Sequence, residues 1–384
     1  MSKAKILILF TVLIDVLGLG IIIPILPFYV GRFNSSAIII TALFSVFALC
    51  SFFSAPLIGS LSDKYGRRPL LIISILSTSI GWFIFAWAPS LIFLFIGRII
   101  DGLAAGNLPV AQSYLIDLAK DDKERTQNLG LIGAMFGIGL IIGPMIGGFL
   151  GSINPHTPFW LVAFLSLANV ILAYWFLPES KKTNLNNTQI SFSPLKPIIN
   201  AYRDIKRRQI YIAWFLFCSA VATFQSIFAI FINRAFGWGE LAAGSIYAGV
   251  GIIIIINQGY ALKKIWLKYF TLAKLNTVLS ATFAVGFLMM LIQPMAIFFV
   301  GLFFVTLGQS VLRVSLTSTA SADTENHGEI LGILTAIMSL SAGLIPLLAG
   351  WAFNLKMSLP FLIGASFTFL AYLVLSPKKE MLTE

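Results

Sequence analysis

Apolar residues along this chain do not alternate with polar ones but run in long unbroken blocks. They cover about 6–30, 38–62, 70–88, 91–116, 128–151, 157–177, 210–233, 241–262, 272–292, 294–318, 329–353 and 357–376. Each block approaches or exceeds the ~20 residues a helix needs to cross ~30 Å of hydrocarbon. None carries the polar stripe of a helix that lies half in water. The longest polar stretch, 178–209, is rich in Lys, Arg, Asn and Ser and separates the blocks six from six. The pattern predicts an all-α membrane protein of twelve transmembrane helices in two six-helix bundles, 1–178 and 210–384, joined by a linker over 179–209.

Composition sharpens this reading. Of 384 residues, 58% are apolar and 11% charged, against roughly 25% charged in soluble domains; mean hydropathy is +0.92. The basic, apolar N terminus lacks a small-x-small cleavage site and runs past Asp15 to Val30, so it is expected to stay as the first span. Cys50 and Cys218 fall within apolar blocks and read as small apolar residues rather than a disulfide framework. The two histidines, His156 and His327, are expected in loops, which leaves little for histidine catalysis or metal binding. Nor is there a nucleophile–base–orienter set or a Gly-rich phosphate loop, so an enzyme, a sensor and an ATP-driven pump are all disfavoured. No cofactor and no metal are expected.

Lysine and arginine set the orientation. With both termini on one side, the opposite loops hold only Arg32, Arg234 and Lys356 of the 26 basic residues, while Arg98 and Arg313 lie inside spans. Both termini are therefore expected in the cytoplasm. The formal net charge of +11 is mostly this topology. A nucleic-acid surface would gather those residues on one face, and here they are spread over several loops.

An internal repeat links the halves. Shifted by 202 residues, LGLIGAMFGIGLIIGPMIGG from Leu129 falls on LGILTAIMSLSAGLIPLLAG from Leu331, matching Gly130/Gly332, Pro144/Pro346 and Gly148/Gly350. Gly106 likewise meets Gly308. Two pseudo-symmetric bundles built from such repeats are how secondary transporters place a site near the membrane midplane.

Charges within spans are expensive and usually functional. Asp15 lies ~14 Å into span 1 and Asp101 ~15 Å into span 4 from the other side, at ~1.5 Å per residue, so both reach the middle. Arg98 precedes Asp101 by three residues and shares its helix face, close enough for an ion pair. Asp15, Asp101 and Arg98 are the candidate proton-coupling residues, with a plain Arg98–Asp101 neutralising pair as the bland alternative for Asp101. Gln112, Phe217, Phe224, Gln225, Gln309 and Arg313 are candidate substrate contacts, against ordinary interhelical hydrogen bonds, lipid-facing aromatics and a snorkelling arginine. Under the repeat shift Phe217 replaces Asp15, so protons are assigned to the first half and apolar substrate surface to the second.

The stretch GSLSDKYGRRP at 59–69, between spans 2 and 3, resembles the loop signature of the major facilitator superfamily, and the resemblance extends over essentially the whole chain. Its charges, Asp63, Lys64, Arg67 and Arg68, are expected in water at the membrane face. The resemblance implies that Asp63 and Arg67, with Asp117 as a further partner, latch the outward-facing state, and that Gly59 lets helices approach closely. GRIIDG at 97–102 resembles the span 4 motif whose arginine, here Arg98, is associated with proton transfer. Gly143, Pro144 and Gly147, among the glycines of span 5, resemble an antiporter motif in which Gly-Pro lets bundles bend. More narrowly, TVLIDVLGLGIIIPILPFYV resembles drug:proton antiporters of the tetracycline-exporter type. Spans 8 and 9 lack the histidine and carboxylate of that group, and span 3 has no acid, so a tetracycline–metal chelate is not the expected substrate.

The expected function is proton-coupled export of small amphipathic molecules by alternating access, from a bacterial cytoplasmic membrane, by a monomer driven by the proton gradient. Two alternatives stand beside it: proton-coupled import or exchange of a nutrient such as an amino acid, sugar or carboxylate, and siderophore export.

Overall fold

The computed structural model describes residues 2–33, 36–180, 194–292, 294–322 and 327–376, apart from the side chains of 122, 123, 126 and 327–329. Eleven of the described helical segments are long and apolar enough to cross a membrane, and the shorter Leu359–Leu375 is equally apolar. No strand occurs among the described residues. The protein is a multi-pass integral membrane protein.

The first half holds α1 (Lys3–Gly31), α2 (Ala37–Tyr65), α3 (Arg67–Trp87), α4 (Leu91–Leu103), α5 (Asn107–Asp117), α6 (Asp122–Ile153) and α7 (Thr157–Phe176). Then come the short α8 (Lys196–Arg203), α9 (Arg208–Phe236) and α10 (Glu240–Ile256), which continues as a π-helix over Asn257–Trp266 into α11 (Leu267–Tyr269). The chain closes with α12 (Leu272–Met290), α13 (Met295–Ala320), α14 (His327–Leu355) and α15 (Leu359–Leu375). Two compact units result, one from Met1–Pro194 with Phe228–Gly251, the other from Leu195–Ile227 with Ile252–Glu384. Helices α9 and α10 each contribute to both.

Two details depart from the sequence reading and a third adds to it. Part of the expected linker is helical, as α8, while 181–193 lies outside the described residues. His327 opens α14 rather than lying in a loop. His156 does precede α7, but its ring is held: Nδ1 lies 2.8 Å from the Ala86 carbonyl and 3.0 Å from the Tyr29 hydroxyl, and Arg32 bonds Nε2.

The fourth span departs from its apolar window. Span 4 is not one helix: α4 stops at Leu103 and α5 starts at Asn107. Pro109 supplies the reason, since its ring excludes a helical carbonyl four residues earlier, at Ala105. Backbone groups freed inside a membrane cost several kcal/mol each unless bonded (~2–7 kcal/mol per group). Serines from neighbouring helices bond them. Ser54 donates to the Gly102 carbonyl (2.6 Å) and Ser77 to that of Ile100 (2.5 Å). Ser74 donates to the Ala104 carbonyl and accepts the Gly106 N–H at 2.8 Å.

Glycine pairs set the tightest helix crossings, and one recurs in both units. A Cβ at Gly81 on α3 would stand 2.8 Å from the Gly97 carbonyl oxygen on α4; a Cβ at Gly286 on α12 would stand 2.8 Å from that of Gly301 on α13. The two glycine pairs lie 205 and 204 residues apart, close to but not at the 202-residue shift of the sequence repeat. Gly137, by contrast, has nothing among the described residues within 4 Å of such a Cβ. Gly81→Ala and Gly286→Ala are each expected to cost about 1–3 kcal/mol by forcing packed backbones apart, and Gly137→Ala to cost nothing measurable. Melting temperatures of the purified variants check this; equal values for all three would remove the crossing as a source of stability.

Candidate functional site

At mid-span of the first unit, α1, α3, α4 and α5 bring four polar side chains and one arginine together. Arg98 and Asp101, a helical turn apart on α4, pair at 3.4 Å and are 2% and 5% exposed. The guanidinium is also caged by rings: its central carbon lies 4.4 Å from the centre of Trp82 and 5.1 Å from those of Phe47 and Phe85. Aromatic faces attract a cation electrostatically, more strongly out of water. The cage thus offsets part of the desolvation of Arg98, whose Nε has no hydrogen-bond partner among the described residues.

Asp15 projects from α1 toward the same group. Its Oδ1 accepts the Asn107 side-chain N–H at 2.9 Å, and the same nitrogen donates to Thr78 Oγ1 at 3.0 Å. Asp15 is attracted by Arg98 and repelled by Asp101, so the three charges act on one another directly. The sequence placed these residues at one depth; the structure joins them. Asn107 and Thr78 are the connectors that sequence reasoning did not single out as functional. In the sequence Asn107 is only one polar residue within an apolar run, and a threonine in such a run gives no signal.

A second cluster lies where α2 meets α3. The expected loop is nearly absent: α2 runs through Tyr65, α3 starts at Arg67, and only Gly66, at φ 104°, separates them. Nor are all its charges in water. Arg67 is 6% exposed, because its fork is filled by Asp63 (2.6 Å), Asp117 (3.1 Å) and Ser62 (2.7 Å). Glu179, from the expected linker, accepts the backbone N–H of Arg67 at 2.8 Å and of Arg68 at 3.2 Å, placing an anion on the N-terminus of α3. Any Cβ at Gly66 would run into that carboxylate. Arg68 itself donates to the Tyr174 carbonyl at 2.6 Å. The expectation for Gly59 needs correcting: a Cβ there would meet nothing within 4 Å among the described residues, so close approach is not what it provides here.

The span 5 glycines do make close contacts. A Cβ at Gly143 would stand 2.8 Å from Gly20 Cα on α1, and one at Gly147 3.2 Å from Ile21 Cα. One turn before Gly20, Val16 fills the space at Gly139, so α6 packs on the stretch of α1 that carries Asp15. Pro144 lies inside α6, between the two contacts.

The sequence profile of the Major Facilitator Superfamily matches residues 8–332. The chain belongs to that superfamily. It is 28% identical over 371 residues to the class B tetracycline resistance protein of Escherichia coli, covering 92% of this chain and 89% of that one. It is 25% identical over 352 residues to multidrug resistance protein 1 of Bacillus subtilis (strain 168), covering 90% and 88%. The crystal structure of the human organic anion transporter MFSD10 superposes with a TM-score of 0.74 at 18% identity, over 98% of this chain and 100% of that one, which shows a shared fold.

Within this superfamily fold the described residues of the second unit show no counterpart of the charged cluster. Under the repeat shift Phe217, Val300 and Phe303 stand where the first half has Asp15, Arg98 and Asp101. Phe217 packs between Trp214 and Phe283, with ring centres 5.4 and 6.2 Å away. It is 4% exposed, so it serves the core of its unit and offers no free face for a substrate. Phe224 is buried at 1% and Gln309 at 8%. Gln112 is half-buried, while Gln225 and Arg313 are exposed. The structure therefore brings the proton-coupling candidates together. The second unit has its own polar knot: Asn257, at the start of the π-helix, donates to Ser310 Oγ (2.6 Å) and accepts from the Trp266 indole (2.7 Å). Such helix irregularities are concentrated at functional places.

Proposed function

We propose that this chain is a proton-driven exporter of small amphipathic molecules that works by alternating access. The observation that carries the reading is the joined set of Asp15, Asn107, Thr78, Asp101 and Arg98, two acids and a base sharing one polar cluster within apolar helices. Ionisable groups at such depth are retained where they move charge. The named relatives, a tetracycline resistance protein and a multidrug resistance protein, point to efflux rather than nutrient uptake. On this reading protons enter through Asp15, with the Arg98–Asp101 pair responding, and the proton gradient is the only energy source. The protein is not an enzyme, needs no cofactor, and functions as a monomer in a bacterial cytoplasmic membrane with both termini inside. Spans 8 and 9 carry no histidine or carboxylate, which favours an organic amphiphile over a metal chelate as cargo.

Purified protein in proteoliposomes with an imposed pH gradient tests this, with tetracycline and ethidium as the first probes. Antiport concentrates the probe in the acidic compartment, against the flow of protons. Accumulation in the alkaline compartment instead would establish symport and overturn the reading.

A further inference from the structure

At the end of α1 farthest from the N terminus, three side chains close around the last carbonyls of α3. The carbonyls of a helix's final turn have no partner within the helix and must find one elsewhere. Tyr29, 0% exposed, donates its hydroxyl hydrogen to the Phe85 carbonyl at 2.8 Å. His156, the N-cap residue of α7, lies with Nδ1 2.8 Å from the Ala86 carbonyl. Its backbone N–H donates to Asn154 Oδ1 at 3.0 Å. On the other side of the ring, Nε2 meets Arg32, the C-cap residue of α1, at 2.5 Å. These partners decide where the ring hydrogen sits. A guanidinium only donates, so Nε2 must be a bare acceptor, and the single hydrogen of the neutral ring is on Nδ1, where a carbonyl accepts it. The ring thus ties three helices together, α1 through Arg32, α3 through Ala86 and α7 through its own backbone. It does so in its neutral form alone.

We infer that His156 and Arg32 form a pH-operated clamp on this end of α1, closed while the imidazole is neutral and opened when it takes a proton. Imidazole is the side chain that ordinarily changes charge between about pH 5 and 8. A proton from water can enter only at Nε2, the position that Arg32 holds. Two donors of like charge then face each other with no acceptor between them, and the contact is lost. Arg32 is the partner that leaves. It is exposed, whereas the ring stays on the Ala86 carbonyl, where the partial negative charge at the C-terminus of α3 favours a cation. The other groups facing the ring keep their charge over that range. Tyr29 from α1 is a phenol, which ionises only near pH ~10; α3 offers the carbonyls of Phe85 and Ala86, and Asn154 after α6 is an amide. Among the described residues no carboxylate pairs with Arg32 or His156 to hold two cations together. The helix so released is the one that carries Asp15. With both termini inside, it is released at its outer end, by the acidity of the side from which protons are drawn.

Only the choice of membrane face rests on the function proposed above, and the test needs no transport. The full chain in lipid nanodiscs carries a nitroxide on Gly31→Cys, with Cys50→Ala and Cys218→Ala; a Cβ at Gly31 meets nothing within 4 Å among the described residues. The electron spin resonance spectrum is expected to show an immobile label at about pH 8 and to lose about half of that component at about pH 5.5. His156→Gln, which offers Arg32 a permanent acceptor, is expected to hold the label immobile at both. So is Arg32→Gln, because an amide donates to the neutral ring and accepts from the charged one. Arg32→Ala is expected to free the label at both, and an immobile label there would overturn the inference. A spectrum of the chain with His156 and Arg32 intact that does not respond to pH would overturn it too. So would an equal response in either glutamine variant, since another group would then be titrating. Nitrogen-15 NMR of labelled histidine, with His327→Gln leaving His156 alone, checks the tautomer. At about pH 8 the hydrogen is expected on Nδ1, and a hydrogen on Nε2 would remove the clamp. Failure of the pH-gradient transport experiment would leave all these spectra unchanged, so the two readings are decided separately.

Discussion

Asp15→Asn is expected to abolish probe accumulation driven by a pH gradient while leaving the protein folded. The two side chains have the same shape, and the asparagine oxygen can still accept the Asn107 N–H that Asp15 receives at 2.9 Å. What disappears is the ability to exchange a proton, together with one charge attracted by Arg98 and repelled by Asp101. Because those two charge effects oppose each other, the change in stability is expected to stay within about 1 kcal/mol. Uphill accumulation should fall to the level of protein-free vesicles, and exchange of probe at equal concentrations on both sides should persist. Accumulation at the wild-type rate would remove Asp15 from the mechanism.

The second large effect concerns the buried pair. Arg98→Ala leaves Asp101, 5% exposed, without its counter-charge and empties a cage formed by Trp82, Phe47 and Phe85. Removing one partner of a buried ion pair typically costs ~3–5 kcal/mol, whereas replacing both by apolar groups is often neutral. Arg98→Leu combined with Asp101→Leu is therefore expected to melt near the wild-type temperature, well above Arg98→Ala. Uphill transport should nonetheless be absent from both. A double variant as unstable as the single one would mean that packing in the cage, not the unpaired charge, sets the cost. A double variant that still transports uphill would reduce the pair to a structural element.

The helices were legible because a span needs only length and apolarity, and residues such as those of 70–88 supply both with no help from neighbours. The Arg98–Asp101 pair was legible for a related reason: partners three apart on one helix meet by helical geometry alone. Glu179 was not, since it reaches Arg67 across 112 residues of chain and nothing in its surroundings marks it as a cap. The break before Asn107 had a local cause in Pro109, yet an apolar window cannot register it. Gly59 and Gly143 look alike in sequence. Only packing shows that one faces open space and the other the backbone of Gly20.

By itself, the sequence determined the membrane class and the run of apolar helices, both properties of hydrophobicity and of a fixed rise per residue. Tertiary structure decided which side chains share hydrogen bonds across helices, that Arg67 is enclosed rather than hydrated, and that Phe217 belongs to a core. Those outcomes depend on how each helix is rotated about its own axis, which is fixed by glycine contacts and ring packing between segments far apart in the chain.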